Sequence, residues 1–303
     1  MTARPAARPN VRAALVIGAV LCFAAVAGSA ARAAAAPVPA PPAANAVPAA
    51  ASPAPAAGPA AGRPTPVASE MTSFEAGDEK VIAYLAVPRG AGSHPGMVVI
   101  QEWWGLNQQI KRIADRLAAL GYAAIVPDLY RGKVASYKEP DLAHELMRGL
   151  NEDRSVGIAK GAAALLRSRA GVPTLPVGII GFCMGGRVAL ATALKGGDVQ
   201  AVVMFYGSVE TTKEAVAPLA CPLLGLFGKD DQGIPEEDVR KFEAALKAAG
   251  KTATIHIYPG VGHAFFNDER PGFEKDVAQD AWANVKDFLA KNLQPPAPPG
   301  PAR

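Results

Sequence analysis

A cysteine stands between glycines in Gly181-Phe182-Cys183-Met184-Gly185-Gly186, directly after the apolar run Val177-Gly178-Ile179-Ile180. A strand bending sharply into a helix lifts the residue at the bend above the sheet edge. Gly-x-Cys-x-Gly has the form of that nucleophile elbow, with sulfur in place of the usual hydroxyl. Gly181 and Gly185 supply the room such a turn needs, because a Cβ would clash there. A helix opening at Met184 aims its free N–H groups at whatever the sulfur attacks, and its dipole favours the thiolate.

Acyl transfer by a thiol also needs a base and an acid to orient it, and after this kind of elbow they follow in the order nucleophile, acid, base. Two apolar runs downstream end in suitable loops, Phe227-Gly228-Lys229-Asp230-Asp231-Gln232-Gly233-Ile234-Pro235 and Tyr258-Pro259-Gly260-Val261-Gly262-His263-Ala264-Phe265. His263 follows a Gly-Val-Gly hinge that lets its ring turn toward the sulfur, so it is the expected base. His256 alternates within a strand and reads as structural, while His144 precedes the elbow and has the wrong chain order. The acid is Asp230 or Asp231, and spacing alone does not separate them.

Glu102 is the third candidate. It follows an apolar run in Gln101-Glu102-Trp103-Trp104-Gly105. A carboxylate between a buried strand and two tryptophans is costly without a partner. It is either a surface charge or cap, or a proton acceptor that acts on the thiol. The same loop supplies one oxyanion N–H in this topology, expected from Trp103, with the Met184 N–H as the second.

The elements that must position these residues alternate between apolar runs and helical patterns. Strands are expected at Val81 to Val87, Gly96 to Gln101, Tyr122 to Val126, Val177 to Phe182, Ala201 to Tyr206, Leu223 to Phe227 and Thr252 to Tyr258. Asn107 caps a helix with Ile110, Ile113, Leu117 and Leu120 on its inner face, closed by Gly121. Asp141 to Arg169 is helical with breaks expected at Gly149 and Gly157, and further helices follow at Glu236 to Ala249 and Phe273 to Leu293. Strands joined by helices predict an α/β class protein, a doubly wound and mostly parallel sheet in one domain, with its ligand beyond the strand C-termini.

Outside that domain the composition changes. Met1 to Arg12 is basic, Ala13 to Val26 is apolar, and small residues surround Ala33, which is the pattern of a signal peptide over residues 1–33. Residues 34–69 are nearly all Ala and Pro and read as an extended linker; residues 294–303 read as a similar tail. The expected location is therefore exported, periplasmic or secreted, with no stable membrane span once the signal is removed. The net charge of +4 is spread partly over these ends, and no Lys/Arg cluster marks a nucleic-acid partner. Of three cysteines, Cys22 falls in the signal segment, and Cys183 and Cys221 lack the spacing of a metal site. No cofactor and no metal are expected.

The ordered motifs Gln101-Glu102-Trp103-Trp104-Gly105-Leu106-Asn107, Pro127-Asp128-Leu129-Tyr130, the Cys183 elbow, Asp231-Gln232-Gly233-Ile234-Pro235 and Gly262-His263-Ala264-Phe265 together resemble the dienelactone hydrolase family, across Glu70 to Leu293. The resemblance implies an α/β-hydrolase fold and a Cys–His–Asp triad. It selects Asp231, four residues before Pro235, over Asp230, and it implies that Glu102 contacts the resting thiol and helps activate it. Family members grip a substrate carboxylate with cationic and phenolic side chains. Tyr130 and Arg131, with Trp104 and Phe265, are the substrate-binding candidates here. The expected activity is hydrolysis of a small lactone or ester. The rival readings are a non-catalytic protein that holds a small apolar ligand in the same pocket, and a redox pair of Cys183 with Cys221.

Overall fold

The structure is a computed structural model and describes residues 66–90, 93–170 and 175–294. The expected signal segment, most of the linker and nearly all of the tail lie outside these residues. Two antiparallel strands come first, β1 (Val67–Ala76) and β2 (Glu79–Pro88), joined by a tight turn that Gly77 opens with φ 62°. β1 is not among the expected strands, and it begins at Val67, ahead of the expected domain start at Glu70. Its residues are largely exposed, with Phe74 alone fully inward, so it carries little of the apolar alternation by which a strand is recognised.

The remaining strands are β3 (Gly96–Ile100), β4 (Ala123–Pro127), β5 (Val177–Phe182), β6 (Ala201–Phe205), β7 (Leu223–Gly228) and β8 (Ala253–Tyr258). They form one eight-stranded sheet in the order β1-β2-β4-β3-β5-β6-β7-β8, parallel from β4 onward. Strand residues alternate between two cores. Val98, Ile100, Ile179, Val202 and Met204 face one side; Met97, Val99, Ile180, Val203 and Phe205 face the other. Helices α3 (Glu152–Ala170), α4 (Met184–Leu194) and α6 (Glu236–Ala248) cover the first face, and α1 (Gln108–Ala119) and α7 (Lys275–Asn292) cover the second. The short helices α2 (Pro140–Arg148) and α5 (Lys213–Val216) complete the fold.

Asn107 caps α1 as expected, accepting from the Ile110 N–H at 3.1 Å. Leu120 departs from expectation: it is the C-cap and is exposed, whereas Ile110, Ile113 and Leu117 are buried. Gly149 ends α2, but α3 runs through Gly157 without a break. A single glycine costs only about 1 kcal/mol inside a helix, and Val156, Ile158, Ala159 and Ala162 are buried on either side of it.

The chain turns back at β3, which lies between β4 and β5. A crevice opens at such a reversal, beyond the strand C-termini.

Candidate active site

Register assembles the site. β3 and β5 pair Ile100 with Gly181, so Glu102 and Cys183, each two residues further on, emerge side by side at the sheet edge. Cys183 adopts φ 56° and ψ −120° and donates its N–H to Phe205 O at 3.0 Å. A Cβ at Gly181 would overlap the Gly185 backbone, and one at Gly185 would overlap the Ile100 and Gln101 carbonyls. Both glycines are therefore required by close approach, as the spacing predicts. Tyr206 (φ 37°) and Ala264 (φ 62°) share the left-handed conformation. Such residues cost roughly 1–3 kcal/mol each, and they collect where a site is held by its surroundings.

The other half comes from β7 and β8, where Gly228 pairs with Tyr258. Past the strand ends the loops stay together: the Lys229 N–H donates to Tyr258 O at 2.8 Å and the Asp230 N–H to Val261 O at 3.0 Å. Gly228 allows this, since a Cβ there would press on the Val261 and Gly262 carbonyls. This brings Asp231 to His263. The imidazole Nδ1–H donates to Asp231 Oδ2 at 2.7 Å, while Oδ1 accepts the N–H groups of Gly233 (2.8 Å) and Ile234 (3.0 Å). The side chain of Asp231 is 1% exposed. Asp230 is exposed and makes no contact of this kind, so the structure separates the two aspartates that spacing left open.

Burial alone would raise the Asp231 pKa, but the His263 hydrogen bond and charge, with the two N–H groups, hold it below the ordinary carboxylate value. His263 moves the opposite way. Partial burial works against its cation, yet hydrogen bonds with Asp231 and with the Cys183 side chain win, and its pKa is pushed up to about 10. Cys183, His263 and Asp231 thus line one cavity, with the imidazole bonded to the carboxylate. Cys183 and Cys221 are not bonded to each other and pack against different cores.

Glu102 lines the same cavity and is 5% exposed. Its Oε1 accepts the Tyr206 hydroxyl at 2.9 Å and its Oε2 accepts the Asn267 amide at 2.8 Å. Each carboxylate oxygen thus has a donor on a neighbouring segment, and no hydrogen bond joins Glu102 to Cys183 among the described residues. Complete burial raises the Glu102 pKa despite these two donors. Neither Tyr206 nor Asn267 was foreseen. Tyr206 ends an apolar run and Asn267 is four residues past His263, positions that only the assembled fold relates to Glu102.

A cavity of about 450 Å³ is lined by Glu102, Trp103, Trp104, Cys183, Asp231 and His263. The amides of Trp103 and Met184, the expected oxyanion donors, make no turn or cap hydrogen bond among the described residues. Met147 and Arg270 also line this cavity and were missed. The Arg270 guanidinium lies 5.0 Å from the Trp104 ring and 5.7 Å from Tyr137, with no carboxylate paired to it among the described residues.

Three substrate-binding candidates lie elsewhere. Arg131 is exposed and bonds Glu79 at 2.8 Å, facing a different depression. Phe265 is fully buried among Tyr206, Phe205 and Tyr258, because the residue two places after His263 turns back into the core. Tyr130 is buried and donates its hydroxyl to Met184 Sδ at 3.4 Å, supporting the elbow and not lining the cavity.

The dienelactone hydrolase family profile matches residues 81–293, most of the described fold. The chain belongs to the dienelactone hydrolase family. It is 36% identical over 236 residues to a Yersinia pestis protein named "Putative carboxymethylenebutenolidase", covering 74% of this chain and 88% of that one. A Methylorubrum extorquens protein of the same name is 34% identical over 224 residues, covering 70% and 77%. Among solved structures, a "Putative Dienelactone Hydrolase" from Klebsiella pneumoniae superposes with a TM-score of 0.69 at 30% identity, covering 75% of this chain and 99% of that one. The fold is accordingly that of an α/β-hydrolase, and the protein is a hydrolase of ester or lactone bonds. The idle ligand-binding reading is set aside.

Proposed function

We propose that this hydrolase works through Cys183 as nucleophile, His263 as acid and base, and Asp231 as the group that orients the imidazole. The observation that supports it is the His263–Asp231 pair, 2.7 Å apart, in the cavity that Cys183 lines from its strained elbow. Cys183 thiolate attacks the carbonyl carbon of a lactone or ester, forming a C–S bond as the carbonyl electrons move onto oxygen. The N–H groups of Trp103 and Met184 receive that oxyanion. When the tetrahedral species collapses, the C–O bond breaks and the leaving alkoxide takes the proton from His263. Water then attacks the thioester while His263 removes its proton, and the acid product leaves with the sulfur restored.

Asp231 keeps the Nδ1–H tautomer, so Nε2 faces the sulfur. Arg270 supplies a cation beside the cavity for a substrate that carries an acid group. Export is part of the same proposal and rests on the signal pattern of residues 1–33.

The test is hydrolysis of an activated aryl ester and a lactone panel. Cys183→Ala is expected to lower kcat by about a million-fold, the scale seen when such a nucleophile is removed. Turnover retained in that variant would reject the scheme.

A further inference from the structure

A second cavity, about 800 Å³, opens on the other side of the molecule's second core, between α1 and α7. It is larger than the catalytic one and shares no lining residue with it. Its floor is apolar and aromatic, with Ile113, Phe266, Ala278 and Trp282. Its charge is unbalanced. Arg112, Arg116, Lys275 and Lys286 line it against two carboxylates, Asp115 and Asp268. Both carboxylates are already engaged: Asp115 Oδ1 accepts the Tyr84 hydroxyl at 2.8 Å, and Asp268 Oδ1 bonds Arg112 at 2.9 Å.

Arg116, Lys275 and Lys286 have no ion pair among the described residues. Arg116 is held in place nonetheless. Its guanidinium lies 4.0 Å from the Trp282 ring centroid and 5.3 Å from that of Phe266. A guanidinium stacked over aromatic faces is fixed in orientation while its N–H edge remains free to bond an anion. Lys275, Trp282 and Lys286 recur at helical spacing and present one stripe of α7 to it.

We infer that the α1–α7 cavity is a binding site for an organic carboxylate with a flat or extended apolar body, its acid group on Arg116 and the α7 lysines and its body against Trp282 and Phe266. An inorganic anion would leave the aromatic wall uncovered, and a neutral hydrocarbon would leave three cations unpaired. Phe266 and Asp268 belong to the loop that carries His263, so the ligand sits against the back of that loop. The inference is independent of the chemistry at Cys183.

The probe is 1-naphthoate, titrated calorimetrically into the full chain, with neutral 1-naphthamide as its control. Saturable binding is expected for the acid and about ten-fold weaker binding for the amide. Arg116→Gln should weaken 1-naphthoate by about ten-fold or more while leaving aryl-ester turnover unchanged, and Arg270→Gln in the catalytic cavity should leave its affinity in place. Should Arg116→Gln lose its thermal transition, the Lys275→Gln, Lys286→Gln double variant replaces it with the same expected loss. No saturable binding below about 10 mM, or an affinity that the charge-removing variant leaves unchanged, overturns the site.

Discussion

Two buried carboxylates line the catalytic cavity, and their surroundings give them opposite characters. Asp231 lies in the loop after β7, where two backbone N–H groups and an imidazole meet it, and its pKa falls despite burial. Glu102 lies at the end of β3, where a phenol and an amide meet it, and its pKa rises. Burial alone would raise both values, and it weighs more on Glu102. What differs is that Asp231 has a partner able to carry positive charge in direct hydrogen bond, whereas the donors to Glu102 are neutral. Asp231 is thereby kept as an anion that orients a base. Glu102 is held on a rigid frame that ties the β3 end to Tyr206 and to the loop of His263.

The comparison predicts that damage follows the charged contact. Asp231→Asn is expected to lower kcat by about 10,000-fold, since the imidazole loses the partner that fixes its tautomer. In the same variant, titration of His263 by nuclear magnetic resonance should show its pKa falling from about 10 toward the ordinary 6.5, because the Asp231 hydrogen bond and charge are among its raising causes. Asp230→Asn should change kcat by less than about two-fold, as a solvated charge does. Comparable losses in both aspartate variants would erase the distinction between them.

Next in size is Arg270→Gln. It should raise KM about ten-fold for an aryl ester bearing a carboxylate while sparing kcat, and should leave a neutral ester unaffected. An equal effect on both esters would mean that the cation does not read substrate charge.

The smallest effects are on stability, and their signs are opposed. A carboxylate whose pKa is lowered on folding contributes stability above its unfolded value, lost as pH falls through the folded value; Asp231 is of this kind, with an ordinary value of 3.8. Glu102, raised from 4.5, contributes below that value and loses its contribution as pH rises through the folded value. Glu102→Gln should therefore cost about 1–3 kcal/mol in urea unfolding near pH 5 and less near pH 8, because the wild-type chain alone bears the buried anion. A deficit that grows with pH would reverse the reading of Glu102.

Much of this was legible in the chain. The β5–Cys183–α4 elbow announces itself because the bend tolerates so few residues, and local sterics are written in local sequence. The choice of Asp231 over Asp230 was not local, since it depends on how Gly228 lets two loops close over each other. Phe265 and Arg131 were misplaced for a related reason: nearness in sequence to a site residue says nothing of which way a side chain turns after a left-handed residue such as Ala264 or at Arg131 itself. Tyr206, Asn267 and Arg270 lie on segments with no motif of their own and gain meaning only from what the sheet order brings beside them. β1 stayed hidden because an edge strand with one inward side chain has almost no apolar signature.

The central claim is that the Cys183 sulfur carries the acyl group. Wild-type protein mixed with 4-nitrophenyl acetate, quenched in acid within the first turnover and digested for mass spectrometry, should show one acetyl group, on the peptide containing Cys183, with none on Cys183→Ala. An acetyl group on another residue, or steady hydrolysis by the wild type with no adduct while Cys183→Ala turns over equally well, would contradict the account.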